Sequence, residues 1–223
     1  MKNLKITSFY LCSLLVFSAC KKDKETEEIA EFDGSIRAIE EFFSADLVQA
    51  LEEFGFIINE GSSPPNIEGA YFLSPFEIAG STVEGDEIGD LFSDYTASIK
   101  NQDNENLTVD FSGDGGGQID NGFGSFISGN GNNFNLFLKL TSKVGNYSAD
   151  TAYAISGNIT NEGIENVQVA ILMLDDKGDI EGVYIENNTG RLFKDSDNFS
   201  ERISTTSKNS YRSNNKKLIL SSN

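Results

Sequence analysis

The sequence predicts a mainly β domain: an antiparallel meander of about eight or nine strands closed into a barrel, preceded by a short helical region. Three observations point there. Proline occurs three times and never after Pro75, and a long proline-free stretch suits a sheet, where proline removes ladder hydrogen bonds. From Gly69 onward, short runs of alternating apolar and polar residues are separated by Gly/Asn/Asp turns. Between these runs no helical pattern is long enough for a parallel crossover, so neighbours should pair as hairpins. A meander of that length is best closed into a barrel or folded into two layers, and closure removes exposed edges.

The elements follow in chain order. Residues 1–19 read as a secretory signal peptide, with Lys2 and Lys5 before an apolar run from Phe9 to Phe17. That run is too short for a stable transmembrane helix. Ser18-Ala19-Cys20 and the charged cluster Lys21-Lys22-Asp23-Lys24-Glu25 come next. The cleavage region resembles a bacterial lipobox, with Phe17 where that motif usually carries Leu. The resemblance implies diacylglyceryl attachment at Cys20, cleavage before it and acylation of the new N-terminus. Residues 20–34 are then an acylated Cys and a Glu/Lys-rich tether with too little apolar content to fold.

Residues 35–60 are expected to be helical, in two pieces. Ile36, Ile39, Phe42 and Phe43 sit at helical spacing; Ser44 or Asp46 caps a second helix whose Leu47, Ala50, Leu51 and Phe54 share one face. Gly55 follows as a C-terminal stop. Residues 61–201 make the barrel. Its predicted strands are 69–77, 92–100, 106–112, 123–129, 134–141, 151–160, 164–174, 180–186 and 191–194. Asn130-Gly131 is the strongest hairpin signal, suited to a type I′ turn. The run from Val167 to Leu174 is apolar on both faces and should be the most buried strand, with the N-terminal helix outside the sheet there. Residues 202–223 have no acid but carry Arg202, Lys208, Arg212, Lys216 and Lys217, which reads as a basic disordered tail; docking on the acidic domain or on lipopolysaccharide phosphates is the sharper alternative.

Composition narrows the chemistry. A net charge of −18 repels nucleic acid and anionic lipid surfaces, so neither is an expected partner. There is no histidine, and of two cysteines Cys12 lies in the leader and Cys20 carries the expected lipid. That leaves no thiol nucleophile, no His-based triad and no zinc site of Cys or His in the folded part. Glu40/Glu41 and Glu52/Glu53 read as solvated helix surface. Three acids in the Gly-rich stretch from Asp110 to Asp120 have oxygen ligands for Ca²⁺ but not the spacing of an EF-hand loop; a mobile hairpin tip is the plainer reading. Asp195-Ser196-Asp197-Asn198 begins like a calcium loop and then departs from it. Asp150-Thr151-Ala152 resembles a short O-glycan acceptor motif of exported proteins, and also suits a strand start. No acid–nucleophile arrangement supports an enzyme, and no cofactor is expected.

Two motifs bear on ligand binding. Ile127-Ser128-Gly129-Asn130 is echoed by Ile155-Ser156-Gly157-Asn158, both on predicted strands. A glycine there marks a bulge, a barrel bend or a place where a ligand approaches the backbone. If the barrel has a lumen, Ser128 and Ser156 are candidates to line it, with Tyr71 and Tyr153. The stretch from Gly61 to Tyr71, with Pro64-Pro65-Asn66-Ile67-Glu68-Gly69-Ala70-Tyr71, resembles a signature of uncharacterised Gram-negative surface lipoproteins. In those proteins a short helix precedes a Pro-Pro-x-Ile-x-Gly-x-Tyr entry into an antiparallel barrel. Gly69 and Tyr71 are also similar to the Gly-x-aromatic start of lipocalins. The resemblance extends loosely over residues 44–200, through the Ile-Ser-Gly strands and the run Gly190-Arg191-Leu192-Phe193-Lys194-Asp195. It implies a lipocalin-like (calycin-type) barrel, anchored by lipid to the outer membrane in either leaflet, and no activity. Two functional expectations stand: a non-enzymatic module binding a small apolar or glycan ligand, or a structural or accessory subunit of a surface protein complex.

Overall fold

The structure is a computed structural model and describes residues 31–204 and 217–222. The expected signal peptide, Cys20 and most of the expected tether lie outside the described residues. No helix among the described residues is long and apolar enough to cross a membrane.

Helices α1 (Ile36–Phe43) and α2 (Ala45–Glu53) are the two expected pieces. Ser35 caps α1 by accepting from Ala38 N, and Ser44 caps α2 by accepting from Leu47 N. Ser44 has φ 91°, which breaks one helix and starts the next. The inward face of α2 is rotated relative to the spacing-based reading. Val48 and Leu51 are buried, while Leu47, Ala50 and Phe54 are half-buried. The reason lies in the opposing surface: Phe54 packs over Gly80, where the missing side chain leaves room for its ring.

Twelve strands follow: β1 (Ser62–Ser63), β2 (Gly69–Leu73), β3 (Phe76–Ser81), β4 (Leu91–Phe92), β5 (Tyr95–Asp103), β6 (Thr108–Gly115), β7 (Gln118–Asn130), β8 (Asn133–Val144), β9 (Tyr147–Ile159), β10 (Gly163–Asp175), β11 (Gly190–Asp195) and β12 (Phe199–Ile203). From β5 to β10 they pair as consecutive antiparallel hairpins, the expected meander. The whole order is β12-β2-β5-β6-β7-β8-β9-β10-β11-β3-β4, with β1 parallel to β7. β12 pairs with both β2 and β10, which makes a ring of pairings through eight strands. At β10 the sheet forks: Gly163–Glu165 pairs with β12 and residues 168–172 pair with β11.

Several boundaries differ from the sequence reading. The single strand expected over 69–77 is two strands, split at Ser74-Pro75. They do not pair with each other: β2 joins β5 and β12, and β3 joins β11 and β4. Residues 180–186 form no strand; Tyr184 makes one isolated bridge, to Ser221. The Asn130-Gly131 turn is displaced by one residue. Asn130 pairs with Asn133, leaving Gly131-Asn132 in the loop, and only Gly131 has positive φ (63°), the pattern of a type II′ turn. The Gly-rich stretch is a hairpin whose turn is Gly116-Gly117. It is paired up to Gly115 and from Gln118, because Gly113 and Gly115 make room for the Tyr95 ring inside.

The expected basic tail is also divided. Arg202 and Ile203 belong to β12, and residues 217–222 return to the sheet, with Ile219 and Leu220 fully buried. Apolar burial outweighs the low overall hydrophobicity of this segment, since each such side chain contributes about 1.5–3 kcal/mol on burial.

The interior is dense. Phe134, Leu136, Leu138 and Leu140 of β8 alternate with outward Asn135, Phe137 and Lys139, as the period-2 pattern requires. Stacked Phe76 and Phe193 (4.5 Å between centroids) meet Tyr95 from the other side of the ring (Phe76–Tyr95, 6.2 Å). The helices cover the opposite face over β7 and β8 rather than over β10 alone. There Phe32 stacks on Phe126 (4.5 Å), Phe43 meets Phe137 edge-on (5.5 Å), and Lys139 lies 4.5 Å over the Phe42 ring.

Candidate functional site

The four residues expected to line a lumen fall on different faces. Tyr71 and Tyr153 point inward and are fully buried. Tyr71 Oη donates to Ile67 O (2.8 Å), and burial pushes its pKa up to about 12 against the opposing pull of Arg202, which lies 4.9 Å over the ring. Ser128 and Ser156 do not line the interior. They share one register row with Asn135 and Gln168, Ser128–Asn135–Ser156–Gln168, on the helix-covered face of β7 to β10.

That row holds the chain segment after α2. Gln168 accepts from Ile57 N (2.9 Å) and donates to Gly55 O (3.1 Å). Asn135 accepts from Asn59 N and donates to Ile57 O (3.0 Å). Ser128 donates to Asn59 O (2.7 Å), and Ser156 donates to Gln168 Oε1 (3.2 Å). An amide side chain presents one donor group and one acceptor, so it can satisfy a peptide backbone as a neighbouring strand would. The Ile-Ser-Gly-Asn echo is therefore a structural device: its serines belong to the strap-holding row.

Inside the ring, near the end formed by the β6–β7 and β8–β9 turns, lies a polar cluster that spacing did not single out. Asp120 is fully buried; its Oδ2 accepts from Tyr95 Oη (2.7 Å), Tyr153 Oη (3.3 Å) and Gln118 Nε2 (2.9 Å). Burial raises the Asp120 pKa above the ordinary carboxylate value, partly offset by hydrogen bonding from Ser142 and from these donors. Burial likewise drives Tyr95 and Tyr153 well above the ordinary phenol value. A Cβ on Gly113 would overlap the Tyr95 hydroxyl, so glycine is required for that ring to reach Asp120.

At the same end a cleft of about 360 Å³ opens between the β8–β9 turn and the 176–184 segment. Tyr147 (42% exposed) and Ile180 (97% exposed) offer apolar surface, and Asn146, Asp176, Asp179 and Glu181 offer polar groups. Lys177 in this cleft is engaged with Asp150 and with Asp175 (3.0 Å). Asp179 Oδ2 accepts from Tyr184 N (2.7 Å), while its Oδ1 is buried without a partner. The far end has a polar depression of about 520 Å³ lined by Asn66, Asn132, Ile159, Thr160, Asn161 and Arg202.

The C-terminal residues brace the cleft end. Arg191 and Asp86 form a fully buried bidentate pair (Nε–Oδ2 2.6 Å, Nη2–Oδ1 2.9 Å). Arg191 Nη1 donates to the carbonyls of Ile219 (3.0 Å) and Ser221 (2.9 Å). Among the described residues no group of three or more His, Cys, Asp or Glu side chains is placed to hold a metal ion.

Sequence reasoning missed Gln118, Tyr95, Arg191 and Tyr147, and weighed Asp120 only as an oxygen ligand for Ca²⁺. The available signal was polar residues at inward positions of alternating strands, which becomes readable only once the register is known. No protein-family model, no curated protein and no solved structure matches this chain.

Proposed function

We propose that this chain is a lipid-anchored lipoprotein of the cell envelope, held in the outer membrane through Cys20, whose eight-strand ring closes as a lipocalin-like barrel and binds a small glycan without catalysis. Of the two ligand classes expected, the glycan is favoured over a purely apolar molecule. Inward positions such as Phe134, Leu136, Leu138 and Tyr153 are fully buried and already fill the interior. One observation carries the reading: the rim cleft sets an exposed Tyr147 ring and Ile180 beside amide and carboxylate groups of the β8–β9 turn and the 176–184 loop. Sugars need this combination, a flat apolar surface for their C–H faces and fixed polar groups for their hydroxyls.

The test is native mass spectrometry and calorimetric titration of the secreted chain against a panel of envelope oligosaccharides. A bound glycan whose affinity drops at least tenfold in Tyr147→Ala supports the reading; no binding across the panel, or binding indifferent to Tyr147, overturns it. Labelling cells with an alkyne fatty acid tests the anchor: the label should follow the wild-type chain and be lost in Cys20→Ser. A second reading, an accessory subunit of a surface complex, draws on exposed Ile88 (69%) and Leu91 (47%) beside the short edge strand β4. Crosslinking from position 88 to one defined envelope protein would favour it.

A further inference from the structure

Beneath the cleft end of the ring is a second set of polar groups that the rim does not use. Gln118 and Asp120 occupy successive inward positions at the start of β7; Gln118 is in the outermost row, opposite Val144, and Asp120 is in the next, opposite Ser142. Both are fully buried. The donors here are spent. The Tyr95 and Tyr153 hydroxyls point to Asp120, and Gln118 Nε2 donates to Asp120 (2.9 Å) and to Tyr153 Oη (2.9 Å). What remains is acceptor capacity. Gln118 Oε1 is buried with no hydrogen-bond partner, and the groups bonded to the Asp120 carboxyl are all neutral. A buried acceptor without a donor is unfavourable, and so is a buried carboxylate without a cation.

Residues 217–222 lie across this end. Ser93 N donates to Lys217 O (2.9 Å), and Leu218 rests on the β6–β7 turn at Gly116, two residues from Gln118. Ile185 N donates to Leu220 O (2.9 Å), and Tyr184 is bridged to Ser221. Tyr184 Oη in turn accepts from Val144 N (3.2 Å) and donates to Ser142 O (3.4 Å), the two residues paired with Gln118 and Asp120. The segment thus spans the strand ends that carry the orphan acceptor, and its Ile219 and Leu220 are buried.

We propose that residues 217–222 are a lid over a second binding site, for a small aliphatic molecule with a primary ammonium group. The hydrocarbon takes the place of Ile219 and Leu220, and the ammonium sits between Gln118 Oε1 and the Asp120 carboxylate. An ammonium brings three donors and no acceptor, which is what this floor lacks; a carboxylate or phosphate ligand would find no free donor there. The site stands on the orphaned Gln118 oxygen and the lid, independently of the rim cleft.

The test uses the full chain with Cys20→Ser, titrated at pH 7.5 with n-hexylamine and, for comparison, n-hexanol and hexanoate, while amide hydrogen exchange is followed over 217–222. Hexylammonium should bind at least tenfold more tightly than hexanol, with no binding of hexanoate, and should speed exchange in the lid. Leu220→Asp, which weakens the lid, should raise hexylammonium affinity at least fivefold; Leu218→Ser replaces it if that chain fails to fold. Asp120→Asn should erase the preference for ammonium over alcohol. Hexylammonium that binds neither wild type nor the folded lid variant overturns the proposal, as does binding that leaves lid exchange unchanged or ignores Asp120→Asn.

Discussion

Two covers lie on this sheet, and they are held by opposite chemistry. The N-terminal cover, residues 31–61, is fixed by a neutral row: Ser128, Asn135 and Gln168 bond the backbone of residues 55–59. The C-terminal cover, residues 217–222, is fixed by a buried ion pair, Arg191 with Asp86, whose remaining donor reaches two carbonyls. The first spreads its attachment over many modest bonds, so the loss of any one is tolerable. The second adds one charged anchor to its backbone bonds with Ser93 and Ile185. A buried ion pair gives little net stability when intact, yet leaves an uncompensated charge when one partner goes. The two covers therefore answer differently to the loss of a single side chain.

Breaking the charged anchor should have the largest effect. Asp86→Ala leaves the Arg191 guanidinium buried and unpaired, and should cost about 3–5 kcal/mol in urea unfolding; hydrogen exchange over 217–222 should rise together with it. A loss below 1 kcal/mol would mean that Arg191 relaxes to solvent and the pair does not hold the cover. Next comes the floor beneath that cover. Gly113→Ala places a methyl group where the Tyr95 hydroxyl lies and should cost about 2–3 kcal/mol by overpacking, with changes in the near-ultraviolet tyrosine signal. An unchanged signal would show that Tyr95 does not occupy that space in solution.

A buried carboxylate without a cation sharpens the contrast with Asp86. Asp195 is 1% exposed, accepts from Ser74 N (3.0 Å) and Ser200 Oγ (2.8 Å), and burial pushes its pKa up to about 6. The folded chain therefore holds this proton where the unfolded chain, near the ordinary 3.8, has released it. Its contribution is most favourable below the unfolded value and is lost as pH rises through about 6. Asp195→Asn should gain about 2 kcal/mol more relative to wild type at pH 8 than at pH 4.5. An equal shift at both pH values would exclude ionisation as the cause. The smallest effect belongs to the distributed cover: Asn135→Ala should cost about 1–2 kcal/mol, with faster exchange confined to residues 55–61. Exchange spreading to 217–222 would show that the two covers are coupled rather than independent.

Much of the fold was legible in the chain because the relevant rules are local. Ser44 capping a second helix, the alternation Phe134–Leu140 and the hairpins from β5 to β10 follow from capping and period-2 patterning. The site was far less legible. Tyr71 and Tyr153 were placed inward, whereas Ser128 and Ser156 turned out to belong to the strap row, because a serine on a strand carries no sign of which face is covered. Asp120 looked like part of a solvated glycine loop, since the Tyr95 ring that bonds it lies 25 residues earlier in the chain.

Composition and near-neighbour pattern alone yield the mainly β class and the hairpins from β5 to β10, and leave residues 31–223 without histidine or cysteine. Only the tertiary structure decided how the ring is completed by β12 and which side chains are inward. It also decided that residues 217–222 pack onto Arg191. Each of these depends on strand register and on contacts between residues far apart in the chain. A one-residue slip in register exchanges the two faces, and no local pattern constrains an ion pair such as Asp86–Arg191, whose members are 105 residues apart.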